Sequence, residues 1–521
     1  AGGTCYVCMR SIYHLGIFFI LFCVGCGDLI DVVPENGTTY TNYFRTKQDA
    51  EALLNNLERN MLQTKSREEI NRLADNLEES DGYLNLDPVC MEVSWSSYYS
   101  LIYAADLIID NAFRFEISEE EIRPYVLQAY FAKAVAYFAL AQNWGEVPIT
   151  KGSTSFVKLA KSPVEDVLKE AEKYALLAME LPIWSELPWE SKQYASKGAV
   201  SALLAYLYAW WASVGERPEL WEKAEEYCTM IIENKVGFYE LVESPEAVCT
   251  EALIRDSKES IWEIMLCTVD NTLGYGKGSF VTFPLRLNAD IIDDESEWAI
   301  YKTTVNRLYD KEDRRRDAYF WGMDADSVFL KNVAGKAVAV AADHREPGDV
   351  ILEGRDNRKI KKAYLYKYRN VYYTYTDDRP VPYFGGLNQD VVKYRLADIL
   401  LLRAECRVRQ GKENAAEDLN TVRERAYGNR EHDYTSAEGD LQLAIFRERE
   451  KELLLEDHYY YDVRRNGVDY VRRELPGAYP KLSDQDIKDG ALYLMINSLN
   501  FEENDLMRQN VYWNRRQNEI K

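Results

Sequence analysis

The stretch SEEEIRPYVLQAYFAKAVAYFALAQNW, residues 118–144, decides the fold class. Ser118 and Glu121 stand three apart, the spacing at which a serine side chain caps a helix and a glutamate reaches back to it. Pro124 falls in the opening turns, where a missing N–H is best tolerated. Beyond it Ala129, Ala132, Ala134, Ala136, Ala139 and Ala141 interleave with Tyr130, Phe131, Tyr137 and Phe138. Small and large residues on alternate turns let two helices approach closely, so this segment predicts a long helix packed on both sides.

Similar segments lie on either side. Gln48-Asp49 opens a stretch with Leu53, Leu54 and Leu57 on one face. Trp95 to Phe115 places Trp95, Tyr98, Tyr99, Ile102, Tyr103, Leu107 and Ile108 close to the 3.6-residue period. Ser162-Pro163 starts a helix that ends near Met179. Ser196 to Trp211 is again rich in Ala and aromatics, and Trp221 to Ile232 pairs with it. Val392 to Gln410 and Asn414 to Ala426 read as a helical hairpin closed at Gly411. Paired helices of this kind predict a mainly α fold, a tetratricopeptide-like repeat scaffold stacked right-handedly.

Residues 241–390 differ. Gly274-Tyr275-Gly276-Lys277-Gly278, Pro284, Pro347-Gly348 and Gly385-Gly386 break the helical pattern. Glu259–Met265, Ala337–Val340 and Ala363–Tyr375 read as short strands. The expectation is one domain, 47–521, with scaffold at 47–240 and 391–521 and a loop-rich insertion at 241–390. Binding residues commonly sit on such loops, held by the rigid body beneath.

Composition narrows the function. The chain has 86 acidic and 63 basic residues, a formal charge of -23, so polyanions are repelled and nucleic acid is set aside. With 38 Tyr and 11 Trp, 13% of residues are aromatic. Most of these rings pack helices, and a minority supply flat faces for ligands.

At the amino end, Ile17 to Val24 is a continuous apolar run preceded by Met9-Arg10. It is short for a membrane span and suits a signal-peptide core. Cys5-x2-Cys8 and Cys23-x2-Cys26 have zinc-ribbon spacing, but this run leaves no polar shell for a metal. Val24-Gly25-Cys26 resembles a bacterial lipobox, which makes 1–25 a signal peptide, Cys26 the lipidated residue and 26–46 a tether. Acyl chains then hold the body at the membrane. The remaining cysteines, Cys90, Cys228, Cys249, Cys267 and Cys406, read as buried thiols without partners.

Enzyme motifs are missing: no Gly-x-Ser-x-Gly elbow, phosphate loop or His-Glu-x-x-His occurs. Gly274-x-Gly276-x-Gly278 lacks the helix a nucleotide loop needs. Asp293-Asp294 could serve a glycosidase, but adjacent acids are common in so acidic a chain. His344 and His432 read as solvated and His458 as packed. Glu448, Arg449, Glu452, Asp462 and Arg465 fall at helical spacing beside leucines, and read as ion-paired helix docking. Neither a cofactor nor a metal is expected.

Several segments resemble the SusD/RagB family. These are Cys26-Gly-Asp-Leu-Ile-Asp-Val-Val-Pro34, Trp95-Ser-Ser-Tyr98-Tyr99-x-x-Ile102-x-x-Ala-Asp106, Asn143-Trp144-Gly145-Glu146-Val147-Pro148-Ile149 and Asp313-Arg314-Arg315. The most extensive runs from Tyr394 through Glu405, then Leu419-Asn420-x-Val422-Arg423-x-Arg425-Ala426, Glu448-Arg449-x-x-Glu452-Leu453 and Asp462-Val463-x-Arg465-x-Gly467. Cys406 departs from the family, which more often has Ala there.

The resemblance implies an outer-membrane lipoprotein that is not an enzyme. Such a protein captures glycan on an aromatic surface and delivers it to a SusC-like TonB-dependent transporter. RagB-like relatives handle peptides, the alternative, and a surface glycosidase is the third reading. By family position the ligand candidates are Trp95, Tyr98, Tyr275, Trp298 and Trp321, with Asp81, Arg286 and Asn288 as polar partners. Trp95 and Tyr98 read equally well as core.

Overall fold

A computed structural model describes residues 43–65, 86, 88–265, 299–321, 323–324, 327–333, 336–341, 358–359, 362–374, 383–387 and 389–520. The segment 1–25 expected to be a signal peptide, Cys26, His344 and Cys267 lie outside them.

The scaffold begins with α1 (Lys47–Thr64), α2 (Ser96–Asn111), α3 (Glu119–Asn143) and α4 (Val164–Ala178). It continues with α5 (Lys197–Ser213) and α6 (Leu220–Ile232). The cap of α1 is Thr46, paired reciprocally with Asp49. The capping box of α3 forms as its sequence predicts: Glu121 N–H donates to Ser118 Oγ at 3.2 Å, and Ser118 N–H to the Glu121 carboxylate at 3.1 Å. Pro124 lies past the capped turn, where its ring forgoes one backbone bond.

Helix α3 packs on α2 and on α4, which is why its alanines are distributed around the axis instead of along one stripe. Helix α5 is buried from Gly198 to Ala212 and packs on α4 and α6. Neighbours in sequence are thus neighbours in space, and the mainly α, tetratricopeptide-like expectation holds for the described residues. None of their helices is long and apolar enough to cross a membrane.

The carboxy-terminal part adds α7 (Leu396–Arg409), α8 (Ala416–Tyr427), α9 (Leu441–Glu452) and α10 (Tyr459–Asn466). Gly411, at φ +70, closes the α7–α8 hairpin, and Gly428, at φ +80, caps α8; both need left-handed backbone. The helix expected from Val392 begins only at Leu396. Val391–Arg395 is instead a strand, antiparallel to Ser260–Ile264. Its β-branched and aromatic residues take a partner more than a hundred residues away in sequence, which no local period reveals.

Short strands of the insertion form separate small sheets: Ala299–Tyr301 and Phe320–Trp321 flank Lys362–Leu365, and Ser327–Val333 pairs with Lys336–Ala341. The single strand expected over Ala363–Tyr375 is two, Lys362–Leu365 and Val371–Thr374, in different sheets. The break falls where Lys367 turns inward and donates to Glu456 at 2.6 Å and to the carbonyls of Glu452 and Leu454 at 2.9 Å.

The charged carboxy-terminal motifs dock these pieces. Arg315 donates to Asp313, to Glu448 at 2.5 Å and to Glu452 at 3.2 Å. Arg395 reaches Glu259 at 2.7 Å and Glu456 at 2.8 Å. Arg449 grips Asp462 with two nitrogens, and Arg465 joins Asp462 to Glu405. These side chains are buried, and charges survive there because each is paired and hydrogen-bonded. Cys228, Cys249 and Cys406 are buried free thiols, as expected. His458 is buried as expected. His432 corrects its reading: it is half-buried, stacked on Tyr427 at 3.8 Å, with Nε2 2.8 Å from Glu312.

Candidate functional site

Helix α1 ends at Thr64 and the Ser260–Ile264 strand ends at Ile264; the two termini meet across one cavity of about 60 Å³. Helices α2, α3 and α5 supply Tyr98, Asn143 and Tyr206 to its lining, and the paired strands supply Trp262 and Tyr394. His458 and Tyr461 line it from the start of α10. The rings support one another. Tyr206 stacks on Tyr394 at 5.5 Å and on His458 at 5.7 Å, and Trp262 tilts against Tyr394 at 5.7 Å.

Polar groups between the rings are also fixed. Tyr461 Oη donates to Asn143 Oδ1 at 2.8 Å, and Lys65 pairs with Asp457 at 2.6 Å. Tyr206 donates to Asp398 and accepts from Arg449 at 2.8 Å. Burial, reinforced by Arg449 and Lys393, holds the His458 imidazole well below its ordinary pKa, so the ring is neutral. Burial likewise raises the Asp398 carboxyl to about 6, against the opposing pull of Arg449. The wall thus combines closely packed aromatic rings with hydroxyls, an amide, a neutral imidazole and the charged Lys393 and Asp457, a mixture of apolar and hydrogen-bonding groups. Among the described residues no group of three His, Cys, Asp or Glu is disposed to hold a metal ion.

Of the residues singled out from sequence, Trp95 and Tyr98 are both buried, 5% and 3% exposed. Trp95 meets Tyr99 and Trp144 edge-on at 5.7 and 6.0 Å, and its indole N–H donates to Asn500 at 2.9 Å. Of its two readings, burial favours core. Tyr98 packs edge-on against Trp144 at 5.8 Å and also lines the cavity. Trp321 has its backbone paired with Tyr364; its side chain, like Asp81, Tyr275, Arg286, Asn288 and Trp298, lies outside the described residues.

Residues 66–85, with Asp81, follow directly on Thr64-Lys65, and residues 266–298, with the other four, follow on Ile264-Met265. Thr64 and Ile264 both line the cavity. Sequence reasoning missed Tyr206, Trp262 and Tyr461. Trp262 carried one signal, since it lies within the strand expected over Glu259–Met265.

Two family models match. The one described as the SusD family covers residues 251–521, and one described as starch-binding associating with outer membrane covers residues 32–209. SusD-like protein P25 of Formosa agariphila is 25% identical over 75% of this chain and 73% of its own length. SusD-like protein P2 of the same organism is 23% identical over 86% of this chain and 89% of its own. Among solved structures, a SusD homolog from Bacteroides thetaiotaomicron superposes with a TM-score of 0.66 at 18% identity, covering 90% of this chain and 99% of that one. NanU of Bacteroides fragilis gives 0.64 at 19% identity, covering 91% and 99%. A laminarin-binding SusD-like protein gives 0.64 at 18% identity, covering 89% and 99%. At these identities the structures establish the shared fold, and with a family model spanning more than half of its length, the chain belongs to the SusD family.

Proposed function

We propose that this chain is a surface lipoprotein that captures oligosaccharide or polysaccharide and passes it, uncut, to a SusC-like TonB-dependent transporter. The observation that carries the reading is the cavity of about 60 Å³ lined by Tyr98, Asn143, Tyr206, Trp262 and Tyr394. Pyranose rings present C–H faces that stack on Tyr and Trp, and their hydroxyls pair with amides and carboxylates. Family membership, a starch-binding description for residues 32–209 and a laminarin-binding structural neighbour support the same ligand class. The charge of -23 favours neutral glycans over anionic ones.

Anchoring follows from Cys26: the thiol carries diacylglycerol, and 26–46 tethers the body outside the cell. The outer-membrane description of the matched family supports that placement.

A glycan array and a peptide pool, each probed with the full chain, test the proposal. Retention of neutral glycans is expected, and loss of that retention in Tyr275→Ala, Trp298→Ala and Trp321→Ala variants identifies the site. Full affinity in all three rejects it. Retention of peptides alone would move the chain to the RagB-like reading, and release of shortened product would make it a glycosidase. Copurification with a barrel transporter, and fatty-acid labelling that disappears in Cys26→Ser, test the partner and the anchor.

A further inference from the structure

Helix α4 ends at Ala178 and α5 starts at Lys197, so residues 179–196 connect two packed helices. Connections between bundle helices usually take about two to eight residues, and long ordered ones are commonly functional. This one holds a single short helical turn, Trp184–Glu186, and is otherwise irregular.

It is nonetheless clamped. Gln128 of α3 exchanges two hydrogen bonds of 2.8 Å with the backbone of Ala195. Buried Lys192 donates to the carbonyls of Ser257 and Ser260 at 2.5 and 2.6 Å, and its own N–H donates to Asp256 at 2.6 Å. Trp262 donates to the Gln193 carbonyl at 3.1 Å. The connection is therefore pre-organised, which lowers the entropy lost when a ligand binds to it.

Two rings on this rigid segment remain partly exposed and lie together. Trp189 and Tyr194 have centroids 4.9 Å apart and planes inclined by 34°. Tyr125 backs the indole edge-on at 5.2 Å, and Tyr125 in turn donates to Glu51 of α1. Gln193 and Ser191 are partly exposed beside the rings, and Glu190 is exposed. Trp184 is a different case, because the Lys192 ammonium sits 4.6 Å from its centroid and takes one face.

We infer that Trp189 and Tyr194 form a second stacking platform on the α4–α5 connection, for one unit of a neutral saccharide. Glu58 and Glu51 bear on Tyr194 and Glu190 is exposed beside Trp189, an acidic setting that disfavours sulfated or uronic sugars. Trp262, whose ring lines the cavity, donates to the carbonyl of Gln193 in the segment between Trp189 and Tyr194, so a chain of several units can run from the platform to the cavity. The choice of a saccharide rests on the proposed function; the geometry of the platform does not.

The test uses the full chain with laminarin and soluble starch as probes, and each also as short oligosaccharides. Trp189→Ala, with unchanged circular dichroism, is expected to weaken polymer binding roughly three- to tenfold and short-oligosaccharide binding much less. Trp189→Phe retains most of it. Radical footprinting of the wild-type chain covers the case in which the alanine variant fails to fold: polymer must protect Trp189 and Tyr194 from oxidation. Unprotected rings, or a folded Trp189→Ala variant with wild-type polymer affinity, overturn the platform while leaving the proposed function standing. A wild-type chain that binds neither polymer overturns the platform, whereas the glycan array above decides separately whether the proposed function falls with it.

Discussion

Arg395 donates to Glu452 across 2.9 Å, and neither side chain has meaningful contact with water. Glu452 also accepts from Arg425 and, at 3.2 Å, from Arg315, so one carboxylate ties the inner strand pair to α8, to α9 and to the Asp313–Arg315 turn. Removing a buried partner leaves its counter-charges uncompensated, which typically costs about 3–5 kcal/mol. Glu452→Ala should therefore lower unfolding stability by about that much, measured by denaturant titration. A loss below about 1 kcal/mol would show that the three guanidinium groups find other partners.

The same cluster sets the acid limit. Burial alone would raise the Glu448 carboxyl, but Arg315, Lys451 and Arg423 outweigh it and hold it at about 2, below its ordinary 4.5. A carboxyl depressed on folding contributes stability above its unfolded value, and that stability is lost as pH falls through the folded one. Stability should decline between about pH 4.5 and 2, and Glu448→Gln should flatten the decline. An equally steep decline in the variant would place the acid sensitivity elsewhere.

The helices and this charged cluster were legible because their signals are local: a capping box at Ser118 and Glu121, and Arg and Glu at helical spacing beside leucines. Three features were not. The Val391–Arg395 strand owes its state to Ser260–Ile264, far off in sequence. Trp95 is covered partly by Asn500, some four hundred residues later, so its helix face could be read but not what lies against it. Tyr206 and Tyr461 line the cavity only because α5 and α10 are brought together, and an all-round apolar helix such as α5 gives no hint of which ring will face a void.

An opposite pH response is expected at α1. Glu58 is buried, and burial, with Asp390 beside it, raises its carboxyl to about 8. Asp390 spends part of its charge on Arg255, at 3.1 Å, and Glu263 is also raised to about 8, by burial first and then by Asp390 and Asp256. A carboxyl raised on folding gives stability that is complete below its unfolded value and is lost as pH rises through the folded one. Wild type and Glu58→Gln should thus be similar near pH 4.5. By pH 8.5 the variant should be the more stable, by a difference on the order of a few kcal/mol. Parallel melting curves from pH 5 to 9 would refute the raised carboxyl of Glu58.

Burial also decides the fate of the thiols. Cys228, Cys249 and Cys406 are inaccessible and unpaired, and burial pushes the Cys249 thiol to about 11 and Cys406 well above its ordinary value. The thiolate is the reactive form, so raising the pKa and excluding solvent suppress alkylation and oxidation together. This accounts for free cysteines in a chain whose family associates with the outer membrane, where exposed thiols would be oxidised. Native protein treated with iodoacetamide at pH 8 should remain unmodified at these three positions, while the urea-unfolded chain is alkylated at all of them. Mass spectrometry of the peptides reads both. Helix α7 packs on α6 and α9, so rapid native labelling of Cys406 would mean that α7 opens locally from them.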